Sequence, residues 1–86
     1  MRHAGRHALE VLGGLLADIR EQGGLAERSP GVFYRKGRAF LHFHEDPSGL
    51  HADLRPGAEW ERFRVETGAE RRVFLSALKD SLAARR

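Results

Sequence analysis

Apolar and polar residues alternate through the middle of the chain, from Arg38 to Arg55. A period of two is typical of β-strands that bury one face. The two alternating runs are separated by Asp46, Pro47, Ser48 and Gly49. These residue types favour a tight turn, because Pro presets φ, Asp and Ser bond their own backbone, and Gly accepts positive φ. The pattern predicts a β-hairpin.

The hairpin has a predicted register. A loop from Asp46 to Gly49 pairs Glu45 with Leu50, and the pairing continues through His44–His51, Phe43–Ala52 and His42–Asp53. The side chains then separate into an apolar face (Leu41, Phe43, Leu50, Ala52 and Leu54) and a polar face (His42, His44, His51 and Asp53). A slip of one residue would mix the two groups, which supports this register.

Two further strands are predicted beside the hairpin. The segment 31–35 joins it through Lys36 and Gly37, and this turn would pair Val32 with Leu41, Phe33 with Phe40 and Tyr34 with Ala39. After a turn at 56–59, the segment 60–66 would place Arg62 opposite Asp53 and Arg64 opposite His51. The segment 25–30 is predicted to be a linker.

Helices are predicted at both ends. Leu9, Leu12, Leu16 and Ile19 recur at spacings of three and four, which indicates an amphipathic helix within 1–24. Gly13 and Gly14 lie inside it, which indicates close backbone packing or a softened helix, and close packing is the favoured reason. The basic residues Arg2, His3, Arg6 and His7 are predicted to be a solvated terminus. The second helix spans 67–86, and Thr67 with Glu70 forms a capping box.

These elements predict a single α+β domain over residues 1–86. It would be a two-layer sandwich of order α-β-β-β-β-α, in which a four-stranded antiparallel meander carries both helices on one face.

Composition narrows the function classes. The chain has 86 residues, no cysteine and a formal net charge of +3. The lack of cysteine excludes disulfides and thiolate metal sites, and a small positive charge permits anionic partners without requiring them. The longest apolar region, around 8–19, is too short and interrupted to cross a bilayer. A cytoplasmic location without membrane association is therefore expected.

The sheet face opposite the helices is the candidate functional surface. It would carry Phe33, Phe40, His42, His44, His51, Asp53, Trp60, Arg62 and Arg64, with Arg35, Arg38 and Arg55 around its rim. A fully solvated sheet face rarely needs two phenylalanines and a tryptophan together.

Association with a protein is the favoured hypothesis for this face. Phe33, Phe40, Trp60, Arg62 and Arg64 have the composition of an interface core and rim. A small domain gains stability by burying such a surface, so a homodimer or a protein partner is expected. The same aromatic and arginine residues could instead stack on and neutralise single-stranded nucleic acid.

A divalent metal site is the third hypothesis. His42, His44, His51 and Asp53 form a set of imidazole and carboxylate ligands suited to zinc, iron or nickel. The expected neighbours Arg62 and Arg64 would oppose a cation, and ordinary cross-strand polar pairs also explain the set. No cofactor is otherwise predicted. Enzymatic activity has little support, because the serines lack motif context and no phosphate-binding loop is present.

The stretch LHFHEDPSGLHADLR, followed by ERFRVET, resembles a pattern found in small uncharacterised bacterial proteins, chiefly hypothetical ones. The resemblance spans roughly the second half of the chain. It implies a compact bacterial domain and carries no assigned activity.

Overall fold

The protein is an α+β domain built on an antiparallel sheet. A computed structural model describes residues 2–83. In chain order the elements are β1 (Arg2–His3), α1 (Arg6–Val11), α2 (Gly13–Arg20), β2 (Ala26–Ser29), β3 (Val32–Arg35), β4 (Arg38–Asp46), β5 (Gly49–Leu54), β6 (Glu61–Arg64) and α3 (Gly68–Ala83). Five strands follow the order β2-β3-β4-β5-β6, and the short β1 pairs with β4. No helix within residues 2–83 has the length and apolar character needed to cross a membrane.

The register predicted for the central hairpin is confirmed. Strands β4 and β5 pair His42 with Asp53 and His44 with His51, and Phe43 lies opposite Ala52. Strand β6 then places Arg62 opposite Asp53 and Arg64 opposite His51, also as predicted. The alternation of apolar and polar residues in β4, β5 and β6 therefore correctly predicted which side chains lie on the same face of this part of the sheet.

The register predicted between β3 and β4 is wrong for two of its three pairs. Tyr34 lies opposite Ala39 as expected, but Phe33 pairs with Leu41 and Val32 with His42. A β-bulge between Phe33 and Tyr34 causes the shift, because β4 contributes one more residue than β3 at this point. That extra residue is Phe40.

The bulge also overturns the predicted placement of two phenylalanines. Phe33 shares the orientation of its partner Leu41 and is 1% exposed, while Phe40 is 4% exposed. Both belong to the hydrophobic core rather than to the sheet face that was predicted to be open. A bulge re-aims the side chains around it, and here it turns Phe40 inward.

The sheet has more strands than the four predicted. The expected linker contains β2, which pairs with β3 at the edge of the sheet. All four residues of β2 are exposed, so it carries no apolar alternation from which a strand could be predicted. The expected solvated terminus contributes β1, which pairs with β4 through Arg2–Glu45 and His3–His44.

The first predicted helix is interrupted at Leu12, where φ is −86° and ψ is 7°. Helix α1 ends before this residue and α2 begins after it. A Cβ built on Gly13 or Gly14 would have no atom within 4 Å, so close packing does not explain these glycines. Two residues with low helix propensity weaken the helix next to the break.

The capping box at the start of α3 is confirmed. The Glu70 amide donates to Thr67 Oγ1 at 3.1 Å, and the Thr67 amide donates to Glu70 Oε1 at 3.0 Å. Each side chain thus satisfies a backbone N–H that has no partner within the helix. The last predicted residues of this helix, 84–86, lie outside the described part of the chain.

One hydrophobic cluster joins the helices to the sheet. Its helical members come from α2 and α3, including Ile19, Phe74 and Leu78, each 0% exposed. Leu41 and Phe43 from β4 complete its centre. The Phe74 ring meets Phe43 edge to face at 6.1 Å between centroids, a favoured aromatic geometry. Since alternate residues of β4 are committed to this core, His42 and His44 must point to the other side of the strand.

Candidate metal centre

Strand β4 supplies two histidines to the face opposite the core. His42 and His44 are half-buried, and they alternate with the buried residues Leu41 and Phe43. Their ring centroids are 5.0 Å apart with the rings edge to face. The hairpin therefore holds two imidazoles next to each other at adjacent positions of one face.

Strand β1 adds a third histidine. His3 pairs with His44, and its ring centroid lies 4.7 Å from that of His44 and 5.5 Å from that of His42. Two backbone donors hold this segment in place: the Ala4 amide donates to Phe43 O at 3.0 Å, and the Gly5 amide donates to Glu45 Oε2 at 2.6 Å. Residues 2–5 are thus attached to β4 at the position of the histidines.

The three imidazoles converge on one small volume. Ligand nitrogens of His3, His42 and His44 all lie within 4.8 Å of one another. His42 Nδ1 and His44 Nε2 are 2.9 Å apart, so one ring donates to the other. Two nitrogens bound to a metal at about 2.0–2.1 Å are separated by roughly 2.9 Å at a right angle and roughly 3.3 Å in a tetrahedron. The separation of this pair is close to that of two ligands on one ion. Two nitrogens on one ion are at most about 4.1 Å apart, so the 4.8 Å span of the three ligand atoms must contract for all of them to bind.

Asp53 lies beside the cluster and is held by Arg62. Asp53 Oδ2 is 3.2 Å from His44 Nε2. Arg62 donates from Nε to Oδ1 at 2.7 Å and from Nη2 to Oδ2 at 2.8 Å, in a bidentate geometry. Burial alone would raise the pKa of Asp53, but the Arg62 hydrogen bonds and charge hold this pKa below its ordinary value. Asp53 is therefore an anion that is only 7% exposed, next to the imidazoles.

His42 is neutral at neutral pH. Burial and the neighbouring His44 lower the pKa of its imidazole, and the field of Asp53 opposes this only in part. A neutral imidazole has a lone pair, which is the form that binds a metal. The environment of His42 therefore favours the ligand form of this side chain.

The other predicted metal ligand, His51, is placed differently. It lies opposite His44 on β5, but it is not one of the three histidines whose ligand atoms converge. Its Nδ1 is buried and has no hydrogen-bond partner among the described residues. Two of the four predicted ligands, His42 and His44, are therefore in the cluster, and Asp53 flanks it.

Of the aromatic residues predicted for this face, Trp60 remains on it. Its ring centroid is 4.4 Å from that of His42, and the residue is 40% exposed. Arg62 is committed to Asp53, whereas Arg64 donates to Ser48 O at 2.7 Å and pairs with Glu70 at 3.4 Å. Because Phe33 and Phe40 are in the core, the aromatic argument for protein association or nucleic-acid stacking now depends on Trp60. Protein association and nucleic-acid binding both remain predictions.

Sequence reasoning missed His3. A two-residue strand is too short to show a period, and the apolar pattern of the segment 1–24 indicates only the helix. The remaining indication was the residue type itself, a histidine near the chain end with two more on a strand.

Comparisons with protein-family models, with curated proteins and with solved structures find no match to this chain. The geometry of the histidine cluster is therefore the basis for assigning a function.

Proposed function

We propose that the protein binds a divalent transition-metal ion through His3, His42 and His44. The observation that carries this proposal is the convergence of three imidazole ligand atoms within 4.8 Å. Imidazole suits zinc, iron, nickel and copper, and sites with three protein ligands keep a further position for water or a small ligand. The proposed centre is of this open kind.

One negative charge, that of Asp53, lies beside the cluster, and the positive charges of Arg62 and Arg55 lie near it. Asp53 provides a negative charge beside His44 and, because Arg62 already occupies both of its oxygens, its role is to compensate charge rather than to coordinate. The arginine that holds Asp53 is Arg62, which the sequence predicted to lie opposite it.

The proposal includes the arrangement of layers predicted from the sequence, in which the helices cover one sheet face. It is supported by the single cluster that joins Leu41 and Phe43 to α2 and α3. It is also supported by the partial exposure of His42 and His44, which alternate with those core residues. An ion could then reach the histidines from solvent.

The test is zinc and nickel binding by protein without an affinity tag, measured by calorimetry and by metal analysis after dialysis. One ion per chain is expected. His3→Ala should weaken binding by more than the roughly 10–100-fold that loss of an outer-shell partner costs. His7→Ala is the matched control, because His7 is an exposed histidine of the same end of the chain. It should leave affinity unchanged.

A second variant separates this site from the one expected from the sequence. His51→Ala should bind metal like the parent, because His51 is outside the converging group. If His51→Ala abolished binding while His3→Ala did not, the site formed by His42, His44, His51 and Asp53 would be correct instead. The absence of stoichiometric binding by the parent would refute both.

A further inference from the structure

A cleft that shares no residue with the histidine cluster lies at one end of the sheet. It forms where the turn after β3, the segment after β5 and the last turn of α3 meet, and its volume is about 560 Å³. This size is within the roughly 300–1,000 Å³ of small-molecule sites. Arg35, Lys36, Arg38 and Arg55 line it, and no acidic residue of the described chain does.

Positive charge is concentrated in this cleft. Four of the fifteen Lys and Arg residues of the chain line it. Arg35 and Arg38 lie directly opposite each other on β3 and β4, an arrangement in which like charges destabilise the sheet. Within residues 2–83, neither forms an ion pair with an acidic side chain. A bound anion would relieve this repulsion.

Two of the guanidinium groups are already held in position. Arg35 donates to the carbonyls of Ser81 and Leu82 at 3.1 and 3.4 Å and lies 5.5 Å from the centre of the Phe40 ring. Arg55 donates to Ala39 O at 2.6 Å and lies 4.8 Å from the centre of the Trp60 ring. A guanidinium has five N–H donors, so each retains donors for a ligand. Little side-chain entropy would be lost on binding.

The lining also has an apolar part. Phe40, Ala39 and Pro56 contribute to it beside the arginines. Small-molecule sites combine apolar walls with a few placed polar groups, and guanidinium groups match phosphate oxygens in bidentate geometry.

From these observations we propose that this cleft binds a small organic phosphate. Its phosphoryl group lies among Arg35, Lys36 and Arg38, and its apolar part contacts Phe40 and Pro56. Several cations favour a dianionic phosphoryl group over a single carboxylate. The site shares no residue with the proposed metal centre and requires no ion.

The test uses phenyl phosphate as the probe, with inorganic phosphate and benzoate for comparison, in metal-free buffer at low ionic strength. Trp60, the single tryptophan of the chain, contacts Arg55 and can report binding by fluorescence. Calorimetry gives the stoichiometry. Phenyl phosphate should bind at one site per chain, more tightly than inorganic phosphate or benzoate.

Arg38→Gln is the variant of choice, because Arg38 is exposed and lines the cleft. It should weaken phenyl phosphate binding about tenfold, the effect of one hydrogen bond to a charged group. Arg72→Gln removes the same charge from an exposed position of α3 and should leave binding unchanged. Circular dichroism is the check that both variants fold.

Two outcomes would overturn the proposal. The first is no saturable binding of phenyl phosphate, and the second is an equal effect of Arg38→Gln and Arg72→Gln. If phenyl phosphate does not bind but a short oligothymidylate does under the same conditions, the cations are assigned to a nucleic-acid backbone. None of these results depends on the metal titrations.

Discussion

Replacing Arg62 by Gln should destabilise the fold far more than the same replacement two residues further along β6. Both Arg62 and Arg64 have side chains that are 49% exposed, and each lies near a carboxylate. The carboxylates differ. The side chain of Asp53 is 11% exposed and that of Glu70 is 33% exposed. Arg62→Gln therefore leaves a buried anion without its charged partner, whereas Arg64→Gln leaves a partly hydrated one.

The magnitude follows from this difference. A buried polar group left without its partner costs about 1–3 kcal/mol, and a charged group costs more. Because half of the Arg62 side chain is in water, solvent would recover part of the loss, and about 2 kcal/mol is expected for Arg62→Gln. An exposed ion pair contributes little to stability, so Arg64→Gln should cost much less than Arg62→Gln. For a domain of this size the change at Arg62 lowers Tm by roughly 8–16 °C.

Thermal and urea unfolding at pH 7, followed by far-UV circular dichroism, measure both variants against the parent. Adding Asp53→Asn to Arg62→Gln should restore part of the stability, because the remaining amide is neutral. If Arg62→Gln cost no more than Arg64→Gln, the Asp53 carboxylate would be hydrated in solution. The account of a buried anion beside the histidines would then fail.

Two further predictions test the fold. Phe40→Ala should cost about 3 kcal/mol in urea unfolding, as expected for a buried phenylalanine, and a cost below about 0.5 kcal/mol would place Phe40 on the open face. The second concerns pH. The pKa of Glu27 is lowered by its hydrogen bonds from Arg20 and, to a lesser extent, from the Gly31 amide. Its stabilising contribution is therefore full above about pH 4.3 and is lost as the pH falls through the lower pKa of the folded state. The difference in Tm between the parent and Glu27→Gln should shrink over this range, and a difference that is constant from pH 7 to pH 2 would contradict the assignment.

The regular parts of the fold could be predicted because several local patterns agree there. The hairpin of β4 and β5 has alternation in both strands and a turn between them, so its register follows from the sequence alone. The capping box at Thr67 is a similarly local feature. The bulge at Phe40 could not be predicted, since it depends on how well two large rings fit the core compared with an unbroken ladder.

The candidate site was predictable only in part for a related reason. His42, His44 and Asp53 belong to strands with a clear period, and their mutual placement follows from it. His3 belongs to a strand of two residues whose partner is about forty positions away in the chain. Such a pairing depends on tertiary structure, and no local periodicity can reveal it.

Because β1 is a two-residue strand paired with β4, the histidine cluster can open while the rest of the fold stays intact. His3 is exposed, and β1 is held by a ladder of two residue pairs, next to Ala4, which packs against the hydrophobic core. Detachment of β1 would dismantle the cluster while β4, β5 and the core stay folded, which is a local opening of low free energy. A ligand that joins His3 to His42 and His44 would slow this opening, and hydrogen exchange at the Ala4 amide, which is bonded to Phe43 O, would record it.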